Sequence, residues 1–171
     1  VAADIDQTEG NRAGAPRLSA RERFLAGAEA AGMAPEILRF PEGTRTAEHA
    51  AAAVGCELGQ IVKSLVFLCD GQPVLALTSG ANRVDTGRLG ELFGGIITRA
   101  DADGVREATG YAIGGTPPFG HDRSLRAVAD PALLAYDAVW AAAGTPDTVF
   151  ELTPGELVEA SGAQVADFVV R

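Results

Sequence analysis

Ile61-Val62-Lys63-Ser64-Leu65-Val66-Phe67-Leu68-Cys69-Asp70-Gly71-Gln72-Pro73-Val74-Leu75-Ala76-Leu77-Thr78-Ser79 holds two apolar, β-branched runs separated by Asp70-Gly71. That dipeptide tolerates the positive φ of a tight turn, so the stretch predicts an antiparallel hairpin of Ile61–Cys69 and Pro73–Ser79. Side chains alternate along a strand. Ile61, Lys63, Leu65 and Phe67 therefore share one face, and Val62, Ser64, Val66 and Leu68 the other. Both faces are largely apolar, which places the strand centrally in a sheet. Lys63 is anomalous there. It is the only lysine, the other 13 basic residues being Arg. Removing an ammonium from water costs on the order of several kcal/mol. Lys63 must therefore meet a polar ligand in a pocket, pair with a carboxylate, or reach along its stem to solvent.

Working outward, Ser19 and Glu22 form a capping box ahead of Phe24, Leu25 and Ala28 at helical spacing, with Gly32 as the stop. An extended run, Glu36 to Phe40, precedes Thr46, which caps a helix over Ala47–Val54 closed by Gly55. Beyond the hairpin, Asp85 caps a helix running to Phe93. Ile96–Arg99 reads as a strand, and Asp101 opens a helix closed by Gly110. Arg126–Ala129, Ala138–Ala142, Thr148–Leu152 and Gln164–Val170 read as strands. Helices are expected after Asp130-Pro131 and Thr153-Pro154, where proline suits the first helical turn. Hairpins mixed with helices forbid an all-parallel sheet. The expected fold is α+β: a single compact domain with a mixed, partly barrel-like sheet and helices packed outside it. Residues 1–16 lack periodicity and read as a flexible N-terminal arm, with residues 17–171 forming the domain.

Composition narrows the function. The chain of 171 residues is 47% hydrophobic and 22% charged, the balance of a globular protein, and it contains no apolar run long enough to span a membrane. Val1 to Pro16 has no signal-peptide h-region, so a cytoplasmic protein is expected. A net charge of −9 argues against broad coating of nucleic acid or anionic membrane. Cys56, Cys69, His49 and His121 have no metal-ligand spacing, so neither a metal nor an organic cofactor is expected. Gly59-Gln60-Ile61-Val62-Lys63-Ser64 lacks the glycine that a phosphate loop needs before Lys-Ser. No GxSxG elbow surrounds a serine, which leaves a Ser64, His121 and Asp122 triad without support.

The periodicity breaks at Gly114-Gly115-Thr116-Pro117-Pro118-Phe119-Gly120, too rich in Gly and Pro for a helix or central strand. Its glycines allow close approach of backbone to a ligand. The amides of Gly114, Gly115, Thr116 and Phe119 are potential donors to a carbonyl or oxyanion, whereas Pro117 and Pro118 only stiffen the path. A rigid connection with no ligand is the alternative.

Thr46-Ala47-Glu48-His49-Ala50-Ala51, then Gly59 to Phe67, then Gly114 to His121, in that order, resemble the YbaK/EbsC family, which is similar to the editing domain of bacterial prolyl-tRNA synthetases. The resemblance extends from about Leu18 to the C-terminus. It implies a free-standing trans-editing deacylase that hydrolyses the ester of a mischarged tRNA, carrying Cys, Ala or a similar small amino acid on tRNA-Pro. Lys63 then matches the family's functional lysine. Gly114, Gly115, Thr116, Pro117 and Pro118 match its substrate loop, and Ser64, standing where many members carry Thr, is expected to bind substrate with them. The implied partner is the tRNA acceptor end, with a synthetase or elongation factor as a candidate source of tRNA selectivity. The lysine is expected either to act as a charge or, if burial depresses its pKa, as a base. Two other readings use the same residues: a non-catalytic module for an aminoacyl end or a synthetase, and an esterase for a small molecule.

Overall fold

The computed structural model describes residues 16–44 and 46–171, and the arm expected over residues 1–16 falls, apart from Pro16, outside them. The elements run α1 Ala20–Ala30, β1 Ile37–Arg39, α2 Ala47–Val54, β2 Val62–Cys69, β3 Gln72–Ser79 and α3 Thr86–Phe93. Then follow β4 Ile97–Arg99, α4 Ala102–Thr109, β5 Arg126–Ala129, β6 Val139–Ala142, β7 Thr148–Leu152, α5 Pro154–Ser161 and β8 Gln164–Val165. Each helix start is explained by its cap. Ser19 with Glu22 and Thr153 with Glu156 form capping boxes, while Thr46, Asp85 and Asp101 accept bonds from first-turn amides.

The hairpin forms as its sequence predicts, with β2 and β3 paired from Val62↔Ser79 to Cys69↔Gln72. Asp70 and Gly71 both take positive φ in its turn. Around it lies a mixed five-stranded sheet ordered β4-β2-β3-β5-β8, in which β5 runs parallel to both β3 and β8. The remaining strands do not join it. They make a second, antiparallel sheet ordered β1-β7-β6, linked to the first by a parallel bridge between Ile61 and Trp140. The α+β domain with a mixed sheet is as expected, and its partly barrel-like character takes the form of two open sheets wrapped round one core. Val62, Val66, Leu75 and Leu77 from the first meet Val139, Ala141, Phe150 and Leu152 from the second, with Phe24 of α1 and Phe119 between. A second cluster, Phe67, Val74, Ala76, Leu89, Phe93 and Phe168, seals the other face of the hairpin under α3. Burial on both sides is what the two apolar faces of β2 and β3 require.

Two elements are shorter than expected. The segment after Asp130 is one 3-10 turn, Pro131–Ala135, because Tyr136 already returns to extended backbone. The last strand ends at Val165. The chain beyond leaves the sheet edge so that Val169 can bridge Val84.

Candidate functional site

β2 is a central strand for only part of its length. Its pairing with β4 covers Phe67 to Cys69, and the bridge from Ile61 to Trp140 holds its other end. Between these supports the strand is open on one side. A cleft of about 310 Å³ lies over the opening, lined by Ile61 to Leu65, by Thr44, Thr46, Ala47 and Ala50, by Ile113, Gly114 and Thr116, and by Trp140, Ala141, Ala142 and Val149. A second hollow of about 250 Å³ adjoins it and shares Ser64, Leu65, Ile113, Gly114 and Thr116, with Arg99 at its far side.

Lys63 borders this cleft and is half-buried. Its Nζ donates a 2.5 Å hydrogen bond to the carbonyl of Asn82. The Asn82 side chain in turn donates to the buried carboxylate of Asp130 at 2.9 Å, which also accepts from the Ser79 amide at 3.1 Å and the Ala132 amide at 2.9 Å. The loop bearing Asn82 is pinned by the C-terminal segment. Asp85 N–H bonds Phe168 C=O, and Val170 N–H bonds Arg83 C=O, each at 2.8 Å. Burial pushes the Lys63 ammonium below its ordinary pKa, while the charges of Glu48 and Asp130 hold it up. Lys63 thus borders a pocket and makes no ion pair among the described residues, its amine being held by a backbone carbonyl while Glu48 and Asp130 act on its charge from a distance.

Ser64 projects from the opposite face of β2, as alternation dictates, yet borders both hollows because they lie along the strand's open edge. Its Oγ is buried without a hydrogen-bond partner among the described residues. Such an orphan costs about 1–3 kcal/mol unless something arrives to satisfy it.

The Gly/Pro loop divides into a front and a back. Gly114 and Thr116 line the cleft, and their amides make no hydrogen bond among the described residues. Gly115, expected as a further donor, instead gives its N–H to the Ala112 carbonyl at 3.0 Å. That amide closes the turn and is not available to a ligand. Gly115 is also where the loop rests on the β6–β7 turn: an added Cβ would lie 2.7 Å from the carbonyl carbon of Thr145. Pro117, Pro118 and Phe119 are buried behind the cleft wall, Phe119 against Phe24 and Phe150. Their part is to brace the loop. His121 bonds the Pro117 carbonyl at 2.7 Å, and Tyr111 donates to the Gly120 carbonyl at 3.0 Å.

Trp140, Val149 and Ile113 are wall residues that sequence reasoning did not single out. Trp140, the chain's one tryptophan, offered the only signal. Among the described residues no group of three or more His, Cys, Asp or Glu could hold a metal, and no helix is long and apolar enough to cross a membrane.

Residues 41–160 match the model of the aminoacyl-tRNA editing domain. The uncharacterized protein YwhH of Bacillus subtilis (strain 168) is 33% identical over 131 residues, spanning 76% of this chain and 83% of YwhH. The proline–tRNA ligase of Maridesulfovibrio salexigens is 36% identical over 107 residues, which are 62% of this chain and 18% of the ligase. A solved structure described as a proposed trans-editing enzyme for prolyl tRNA synthetase superposes with a TM-score of 0.85 at 46% identity, covering 91% of this chain and 100% of that one. The chain belongs to the YbaK-type aminoacyl-tRNA editing domain family, the family to which the editing domains of prolyl-tRNA synthetases are homologous.

Proposed function

We propose that this protein is an aminoacyl-tRNA deacylase that acts in trans, hydrolysing the ester between a small amino acid, Ala or Cys in the first instance, and the terminal ribose of tRNA-Pro. The observation that carries this reading is the half-buried Lys63 lining the same cleft of about 310 Å³ as Gly114 and Thr116, whose amides make no hydrogen bond among the described residues. Water adds to the ester carbonyl carbon, charge collects on the carbonyl oxygen, and the bond to the ribose oxygen breaks as that oxygen takes a proton. The amides of Gly114 and Thr116 sit where they can hold the developing oxyanion, a task backbone donors perform without reorganisation. Burial lowers the Lys63 pKa while the charges of Glu48 and Asp130 oppose that fall, and on the strength of those two carboxylates we assign Lys63 the role of a charge that binds phosphate or the transition state. No side-chain base faces the ester from the lining residues, so a vicinal ribose hydroxyl is assigned to orient the water. The net charge of −9 restricts contact to the acceptor end, and a synthetase or elongation factor then supplies the choice of tRNA.

The test is ester loss from alanyl-, cysteinyl- and seryl-tRNA-Pro, run beside the corresponding free amino-acid esters. Loss from tRNA-linked esters alone is expected. Binding without loss would make the domain a non-catalytic module, and equal loss from free esters would make it a small-molecule esterase.

A further inference from the structure

The hydrogen-bonding direction of each β2 residue follows from two bonds at its ends. Gly80 N–H donates to Ile61 C=O at 2.7 Å, in register with the β2–β3 ladder, so odd-numbered residues of β2 turn their N–H and C=O toward β3. Asp70 N–H donates to Ile96 C=O at 3.0 Å, in register with the β2–β4 ladder, so even-numbered residues turn theirs toward β4. Ser64 is even-numbered. Its amide and carbonyl therefore point outward, but the β4 ladder has stopped at Phe67↔Arg99, and the chain has turned away into α4 at Asp101. On the other side the edge is occupied again at Ile61 by Trp140. No ladder or bridge among the described residues gives Ser64 a partner on this edge, its one strand pairing being with Leu77 of β3. Both hollows border this residue.

An unpaired edge one residue wide is complementary to one amino-acid residue. In an antiparallel pair, the facing residue presents its own N–H and C=O on the same side. An aminoacyl ester has that pair of groups, an α-ammonium donor and an ester carbonyl acceptor on adjoining carbons. A longer peptide would collide with Trp140 or β4. Building on the deacylase reading, we infer that the open edge of β2 at Ser64 is a backbone clamp for the amino-acid moiety. Ser64 C=O accepts from the α-ammonium, and Ser64 N–H donates to the ester carbonyl. The amides of Gly114 and Thr116, which line the same cleft, are left for the two further lone pairs that this oxygen carries as an oxyanion. The enzyme thereby requires a free α-amino group whatever the side chain, and backbone atoms, not the Ser64 hydroxyl, enforce this.

The test compares alanyl-tRNA with propionyl-tRNA, which keeps the ester and size but lacks the amine. Each enzymatic rate is divided by spontaneous hydrolysis of the same ester, because the ammonium activates the ester by itself. Loss of a charge-assisted bond should lower the normalised kcat/KM for propionyl-tRNA about 10- to 100-fold. The Ser64→Ala variant should retain that preference. Equal normalised rates for the two esters would overturn the clamp while leaving the deacylase intact, as would a preference abolished by Ser64→Ala. No hydrolysis of any aminoacyl-tRNA would remove both. Independently of turnover, the Ser64 amide proton should shift downfield when the protein binds an adenosine carrying alanine through a 3′-amide, and an unmoved resonance in the bound state refutes the contact.

Discussion

Replacing Gly115 with alanine tests whether the Gly/Pro loop is held in place by its contact with the β6–β7 turn. The new Cβ would stand 2.7 Å from the carbonyl carbon of Thr145, 2.8 Å from its Cα and 2.9 Å from the nitrogen of Pro146. All three are backbone atoms in a turn already fixed by Thr145 and Thr148 side chains and by Thr44 Oγ1 on the Pro146 carbonyl. Restoring an ordinary contact of 3.4 Å demands a retreat of about 0.7 Å. The loop, rather than the turn, is the part with room to give, since Gly114 opens onto the cleft. Overpacking of this kind costs about 1–3 kcal/mol. For a domain of this size that is a fall in Tm of roughly 2–12 °C. The functional cost is larger, because the retreat shifts the Gly114 and Thr116 amides, and misplacement by about 1 Å costs up to about 100-fold in rate. Thermal unfolding and alanyl-tRNA deacylation on the same preparation measure both effects. A variant with wild-type Tm and wild-type kcat/KM would refute the claim that this contact sets the loop.

Lys63→Met should abolish deacylation while leaving Tm unchanged or slightly raised, since burial already disfavours the ammonium and an apolar side chain of similar length removes that cost; retained activity would take Lys63 out of the mechanism. Asp130→Ala strips the acceptor from Ser79, Asn82 and Ala132 in a site 1% exposed, and should cost about 3 kcal/mol or more as well as freeing the Asn82 loop from Lys63. A change below 1 kcal/mol in urea unfolding would contradict it. Burial lowers the His121 pKa from its ordinary 6.5, so the folded protein keeps the ring neutral to lower pH than the unfolded chain does. The stability this confers is complete above about pH 6.5 and is lost as pH falls from there toward the folded value. Urea midpoints at pH 7.5 and 5.5 should therefore differ less in His121→Gln than in the wild type, and equal differences would show that His121 does not sense pH.

Where the sequence was legible, a local rule decided the structure. The hairpin follows from alternating burial and an Asp-Gly turn, and the caps at Ser19, Thr46, Asp85, Asp101 and Thr153 follow from side-chain oxygens that reach first-turn amides. What was not legible depends on contacts between distant segments. Whether β6 and β7 extend the first sheet or leave it is settled by the Ile61–Trp140 bridge and by β1 pairing with β7, and neither is written in the strands' composition. The site divides the same way. Lys63 and the Gly114 to Pro118 loop could be picked out by residue type, and the structure brings Lys63, Gly114 and Thr116 to one cleft. It could not be read that Gly115 spends its amide on Ala112 or that Pro117 and Pro118 lie behind the wall.

The cleft draws its walls from segments as far apart in the chain as Thr44 and Val149. No contiguous fragment shorter than that span contains it. A chain emerging from the ribosome therefore carries its lysine long before it carries a cavity. Only when β7 has paired with β1 is the second sheet assembled and the wall closed. Whatever chemistry the cleft performs therefore waits on completion of the fold.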